Sequence, residues 1–181
     1  NQVTYKMDSI IESRGKIFLK FPTLLNEDID IKKALGKRVT YNIKEKDDPE
    51  TKKAILLKKV FVAGNYKKFL VGKKRFLQNY KKSKFTEMLT YMEADSLYNL
   101  YQKGRPKKFL LRSLSIYDSA AKRYSGSPLA ERTILFSSFA RIHNGDYFGA
   151  IQNLKYYIDR FKKSPLRNQI KLYLAQNLVR I

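Results

Sequence analysis

The chain changes its hydrophobic rhythm once, near residue 47. Before that point neighbours alternate: along 16–21 one face takes Ile17, Leu19 and Phe21 and the other Lys16, Phe18 and Lys20. Val39, Tyr41 and Ile43 alternate with polar residues in the same way. A period of two predicts strands, because successive strand side chains point to opposite faces. Val3, Tyr5 and Met7 predict a further strand, Pro22 bounds the middle one, and residues 26–35 read as a short helix closed by Gly36 or as a loop. Three short strands make a marginal sheet alone. Residues 1–46 therefore read as a small β-rich element, part of a larger domain upstream.

From residue 47 to 181 the apolar positions recur at helical spacing. Asp47-Asp48-Pro49-Glu50 places an acidic cap, a proline at the first helical position and acid in the first turn. The first helix carries Ile55, Val60, Phe61 and Ala63 up to a break at Gly64-Asn65-Tyr66, and the second carries Phe69, Leu70, Phe76, Leu77 and Tyr80. A third runs from about Lys84 through Met88, Leu89, Met92, Leu97, Leu100 and Tyr101 to Gly104-Arg105-Pro106, and a fourth holds Phe109, Leu110, Leu114, Tyr117, Ala120 and Ala121. Ser-Pro-Leu at 127–129 and again at 164–166 predicts two helix starts, with serine as the cap and proline just inside. Between them Gly145 ends one helix and Asp146 caps the next. The turn glycines 64, 104 and 145 lie 40 and 41 residues apart, a period that predicts stacked helical hairpins: three of them and a trailing helix.

The third hairpin resembles a tetratricopeptide repeat (TPR). Its motif is Tyr124, Ser127, Pro128, Ala130 and Glu131, then Gly145, Asp146, Tyr147 and Ala150, then Ser164 and Pro165. That pattern is similar to the bacterial cell-envelope subtype of the Tol-associated periplasmic division protein and the outer-membrane assembly lipoprotein. Small residues at Ser138 and Ala150 suit the close helix approach of such a repeat. Ser125 and Lys162 stand where the subtype has proline, and Arg141 where it has tyrosine. The first hairpin puts Leu57 and Phe69 at the small positions, and the middle one turns through Lys103-Gly104-Arg105. The likeness is good over 123–178, looser over 49–122 and absent from 1–46. It implies a mostly α, TPR-like solenoid that scaffolds protein assemblies without chemistry, in a bacterial periplasm or cell envelope. A β-rich segment leading into such repeats also resembles scaffolds of flagellar and gliding motors.

Charge adds a second theme. Thirty-eight Lys and Arg against sixteen Asp and Glu leave a net charge of +22, a field that attracts acidic proteins, anionic lipid or cell-wall polymer, or nucleic acid. The Lys pairs, from 32–33 through 58–59 and 107–108 to 162–163, read as dispersed along the chain; a dedicated nucleic-acid module more often gathers its Arg on one face. Nucleic-acid binding is thus the alternative reading, and a domain attached to an enzyme encoded elsewhere in a longer chain a further one. Asn1 without an initiator Met, and an end inside a helical pattern at Val179-Arg180-Ile181, read as a piece of a longer protein.

The chemistry of turnover finds no support. There is no Cys, so thiol and disulfide chemistry are excluded, and no apolar run approaches the roughly 20 residues of a membrane span. The single histidine, His143, reads as a partner of the last carbonyls of its helix. Gly104-Arg105-Pro106-Lys107-Lys108 lacks the spacing and hydroxyl of a phosphate loop. Asp28, Asp30, Asp47 and Asp48 read as solvated or capping. We expect no enzyme, cofactor or metal. The aromatics interleaved with basic residues read as hairpin core, with Tyr98 and Tyr157 as exposed exceptions. A paired-helix solenoid is concave along the first helix of each pair. The expected partner-binding residues on that face are Lys52, Lys59, Asn99, Lys103, Arg132, Phe139, Arg141 and His143, forming a groove for an acidic, extended or helical segment.

Overall fold

The computed structural model describes residues 9–13, 16–20, 43, 48–127 and 129–179. Strands β1 (Ser9–Ser13) and β2 (Lys16–Lys20) pair antiparallel, Ser9 opposite Lys20 and Ser13 opposite Lys16. The described residues give no β-rich element beyond this pair. Val3, Tyr5, Met7, Val39 and Tyr41 lie outside them, as do residues 26–36, and Ile43 belongs to no strand but packs half-buried on the helical core.

Seven helices follow among the described residues: α1 (Pro49–Val62), α2 (Tyr66–Asn79), α3 (Thr86–Gln102), α4 (Lys108–Arg123), α5 (Ala130–Asn144), α6 (Tyr147–Arg160) and α7 (Arg167–Leu178). Each packs chiefly on the helix before it and the helix after it, and α3 also meets α5. The chain is therefore a mostly helical array of hairpins α1–α2, α3–α4 and α5–α6 with α7 trailing. The Asp48 carboxylate caps α1 by accepting from Thr51 N at 2.7 Å, ahead of Pro49, and Asp146 caps α6 by accepting from Gly149 N at 2.9 Å.

Within each hairpin the turn repeats bond for bond. Gly64, Gly104 and Gly145 have φ of 73°, 81° and 81°, a left-handed conformation that costs any residue with a Cβ. Their N–H groups donate three residues back, to Phe61, Tyr101 and Ile142. The next N–H donates five back, from Asn65 to Val60, Arg105 to Leu100 and Asp146 to Arg141. This is the Schellman closure, which satisfies carbonyls left over at a helix end.

Between hairpins a serine turn recurs instead. Ser83, Ser127 and Ser164 each follow an aromatic by three residues, and each hydroxyl accepts from the N–H two residues on: Phe85, Leu129 and Leu166. The two Ser-Pro-Leu serines thus do not cap helices starting at the proline. They hold a turn that ends before α5 and α7 begin at Ala130 and Arg167. The hydroxyl is spent on a local N–H two residues on, so the first helical residue moves downstream.

Two clusters make the core. Phe69 and Phe76 of α2 and Ala54 of α1 pack on the first half of α3 (Met88, Leu89, Tyr91, Met92). Ala94 and Tyr98, farther along α3, join the larger cluster of α4 to α7, with Leu110, Tyr117, Leu135, Phe139, Leu154 and Tyr173. Close approach in the first hairpin comes from Gly72, where an added Cβ would stand 2.6 Å from Leu57 Cδ2. The small residue that Leu57 displaces has moved to the facing helix. In the third hairpin Ser138 and Ala150, both fully buried, keep that role.

Candidate protein-binding surfaces

The facing side of α3 and α5 is closed by polar locks. Asp95, 1% exposed, accepts from Arg132 Nη2 at 2.8 Å, Arg132 Nε at 3.1 Å and Tyr117 Oη at 2.6 Å. A carboxylate survives such burial only when its lone pairs are filled. The Arg132 guanidinium also lies 4.2 Å from the Phe136 ring centre, a cation–π contact. One repeat further, Glu131 accepts from Tyr157 Oη at 2.6 Å and Ser164 Oγ at 2.7 Å. Its counterpart Glu50 takes Ser83 Oγ at 2.6 Å. In the middle repeat the pattern lapses. Glu87 Oε1 and Tyr91 Oη are buried without a hydrogen-bond partner. Thr133 stands beside Tyr91 but out of bonding geometry, and burial pushes the phenol up to about 12.

The eight residues expected on the concave face divide accordingly. Phe139 lies in the core, fully buried, with its ring centre 5.5 Å from that of Tyr173. Arg132 serves Asp95, and the Asn99 amide donates to the Asp95 carbonyl at 2.7 Å. Arg141 bridges Asp118 at 2.6 Å and Asp146 at 2.5 Å. Burial alone would lower the Arg141 pKa and raise that of Asp146. The bonds from Asp146 and Asp118 nevertheless raise Arg141, and the Gly149 N–H and the guanidinium hold Asp146 below the usual range. The Nδ1 of His143 lies 2.8 Å from Tyr98 Oη. Lys52, Lys59, Lys103 and His143 present surface, Lys103 with its ammonium 5.1 Å from the Tyr66 ring centre.

On α6 the exposed aromatic stands one residue from the expected Tyr157. Tyr98 and Tyr157 are buried, while Tyr156 is 50% exposed and Phe148 67%. A one-residue step turns a helix face by about 100°, which is the size of that error.

Charge is not dispersed. Residues 51–86 carry twelve Lys and Arg and no Asp or Glu, so this run alone holds more than half of the net charge of +22. The signal was legible: it is the missing acids, not the Lys pairs, that mark the segment. On α2 these cations border a cleft of about 620 Å³ reaching Glu93 of α3 and Arg112 of α4. At its base Lys73 pairs with Glu93, which also accepts from Arg112 Nη2 at 3.0 Å.

Among the described residues no group of three or more His, Cys, Asp or Glu is placed to hold a metal, and no helix is long and apolar enough to cross a membrane. No protein-family model matches the chain, and no curated protein matches it. Among solved structures it is similar to PcrH in complex with the chaperone binding region of PopB. The TM-score is 0.54 at 10% identity, over 74% of this chain and 97% of that one. The fold is a TPR-like helical repeat.

Proposed function

We propose that this protein is a non-catalytic, chaperone-like scaffold that holds a segment of a partner protein. The observation that carries this reading is the fold: a hairpin array of the kind in PcrH, which was solved with the chaperone binding region of PopB bound. The disposition of the acids supports it. Asp95, Glu131, Asp118 and Asp146 each accept bonds that join or cap helices, which fits rigid presentation better than proton transfer. Within the expected groove, Lys52, Lys59, Lys103 and His143 are the residues with surface to offer a partner. An envelope or motor assembly of a bacterium is the setting we propose, on the likeness of residues 124–165 to the envelope subtype.

Nucleic-acid binding is the second reading, and the acid-free run 51–86 favours it. The test is capture by the immobilised chain from envelope and soluble fractions of the source organism, at low and high salt, with nuclease. A defined protein set that survives both treatments supports the scaffold. Capture of nucleic acid alone, lost with nuclease, overturns it.

A further inference from the structure

The cleft beside α2 is lined by none of the eight residues expected on the concave face. Leu70, Lys74 and Leu77 stand at i, i+4 and i+7, one stripe of α2, and Lys81 lines the cleft from the turn just beyond the helix end. Leu70 and Leu77 are two turns, about 10 Å, apart. Val71 flanks them and is 56% exposed. Arg112, 67% exposed, stands on the α4 side. The lining therefore sets four cations against one carboxylate, Glu93, around the apolar Leu70, Val71 and Leu77.

We propose that this cleft is a docking site for an acidic amphipathic helix of a partner protein. Its apolar residues lie on Leu70, Val71 and Leu77, and its carboxylates meet Lys74, Lys81 and Arg112. The proposal rests on the protein-binding reading above and names the surface and the chemistry of the occupant. The spacing of Leu70, Lys74 and Leu77 favours a helix laid along α2, the helix-in-groove mode, in which anchors recur at i, i+3, i+4 and i+7. Charge decides the rest: a row of cations beside an apolar floor selects acid flanking leucine and rejects a basic helix. The lining has no aromatic residue, and single-stranded nucleic acid is held by stacking its bases on aromatics.

The experiment is fluorescence anisotropy with a labelled helical peptide carrying Leu at the first and fourth positions of each heptad and Glu beside them. Oligothymidylate and phosphatidylserine vesicles serve as competing probes. Lys74 and Lys81 are exposed, so Lys74→Glu with Lys81→Glu leaves the core intact. Affinity for the peptide is expected to fall about tenfold. The same charge change at exposed sites elsewhere, Lys155→Glu with Lys171→Glu, should change it less than about twofold. Val71→Lys separates shape from charge: the cleft predicts weaker binding, and attraction to net charge alone predicts stronger. The inference is overturned by no binding of the peptide, by equal losses in the two double variants, by a gain in Val71→Lys, or by a cleft-dependent preference for the oligonucleotide or the vesicle. If the Lys74→Glu, Lys81→Glu chain still captures the salt- and nuclease-resistant proteins of the wild type, the scaffold stands and this cleft does not. Failure of the wild type to capture any protein removes the scaffold reading itself.

Discussion

In the first hairpin α1 buries only Thr51 and Ala54, and α2 only Phe69 and Phe76. In the third, α5 buries every residue from Ala130 to Ala140 except Arg132, and α6 buries five more. Both hairpins close on the same glycine turn, and both receive a serine onto a glutamate, Ser83 on Glu50 and Ser164 on Glu131. What differs is where the side chains are spent. The third hairpin is flanked by helices on several sides, so its polar groups, Glu131 and Ser138 among them, must be satisfied internally. The first keeps much of its surface in solvent and carries cations there instead. Buried side chains are concentrated toward α5 and exposed cations toward α2.

The largest expected effect breaks the lock between the hairpins. Asp95→Ala takes the acceptor from the buried Tyr117 hydroxyl and from the half-buried Arg132 guanidinium. A cost of about 3–5 kcal/mol is expected in denaturant unfolding. Lys84→Ala, which removes a 3.8 Å pair with Asp48 at the start of the first hairpin, is expected to cost under about 1 kcal/mol. Comparable losses would show that the first hairpin is locked as firmly as the rest.

Next in size is Gly72→Ala. The new Cβ meets Leu57 Cδ2 at 2.6 Å, and overpacking of this kind costs about 1–3 kcal/mol. In a Leu57→Ala background the change should become neutral or stabilising, since alanine outranks glycine in a helix by about 1 kcal/mol. The double-mutant cycle reads that coupling directly. Additive effects would mean that Gly72 is not the site of close approach.

These two sites also show what the sequence could and could not carry. The hairpin period was legible because turn glycines sit where φ is positive, and no other residue does that cheaply. Gly72 was passed over because a glycine inside a helical run looks like a weakness until the facing leucine is known. Asp95 was hidden for a related reason. A carboxylate between Ala94 and Ser96 needs a buried cation, but its partner lies 37 residues away on a helix whose rotation the sequence leaves open. The same rotation moved Tyr98 and Tyr157 inward and left Phe148 and Tyr156 outside. Facing is set by packing among helices, and periodicity alone fixes it only to within a residue.

A smaller pair of effects compares two buried tyrosines. Tyr157→Phe removes a hydroxyl shared by Glu131 and Ser164 and should cost about 1–2 kcal/mol. Tyr91→Phe removes a buried hydroxyl that bonds to nothing, and should be neutral or stabilising. A matching loss at Tyr91 would place a bond there.

The smallest effect is electrostatic and sits at the turn of the third hairpin. The Asp146 carboxyl is held below its ordinary 3.8 by Gly149 N–H and Arg141, against the opposing influence of burial. A depressed carboxyl contributes stability that is fully present above its unfolded value and is lost as pH falls through the folded one. The unfolded chain binds the proton first, so stability should decline on acidification from about pH 4 downward. Asp146 and Arg141 are both partly exposed, so the contribution is under about 1 kcal/mol. Asp146→Asn preserves an oxygen for the Gly149 N–H but cannot ionise. Thermal unfolding across that range should therefore show a shallower acid dependence for the variant than for the wild type. Parallel curves would remove Asp146 from the acid response of the fold.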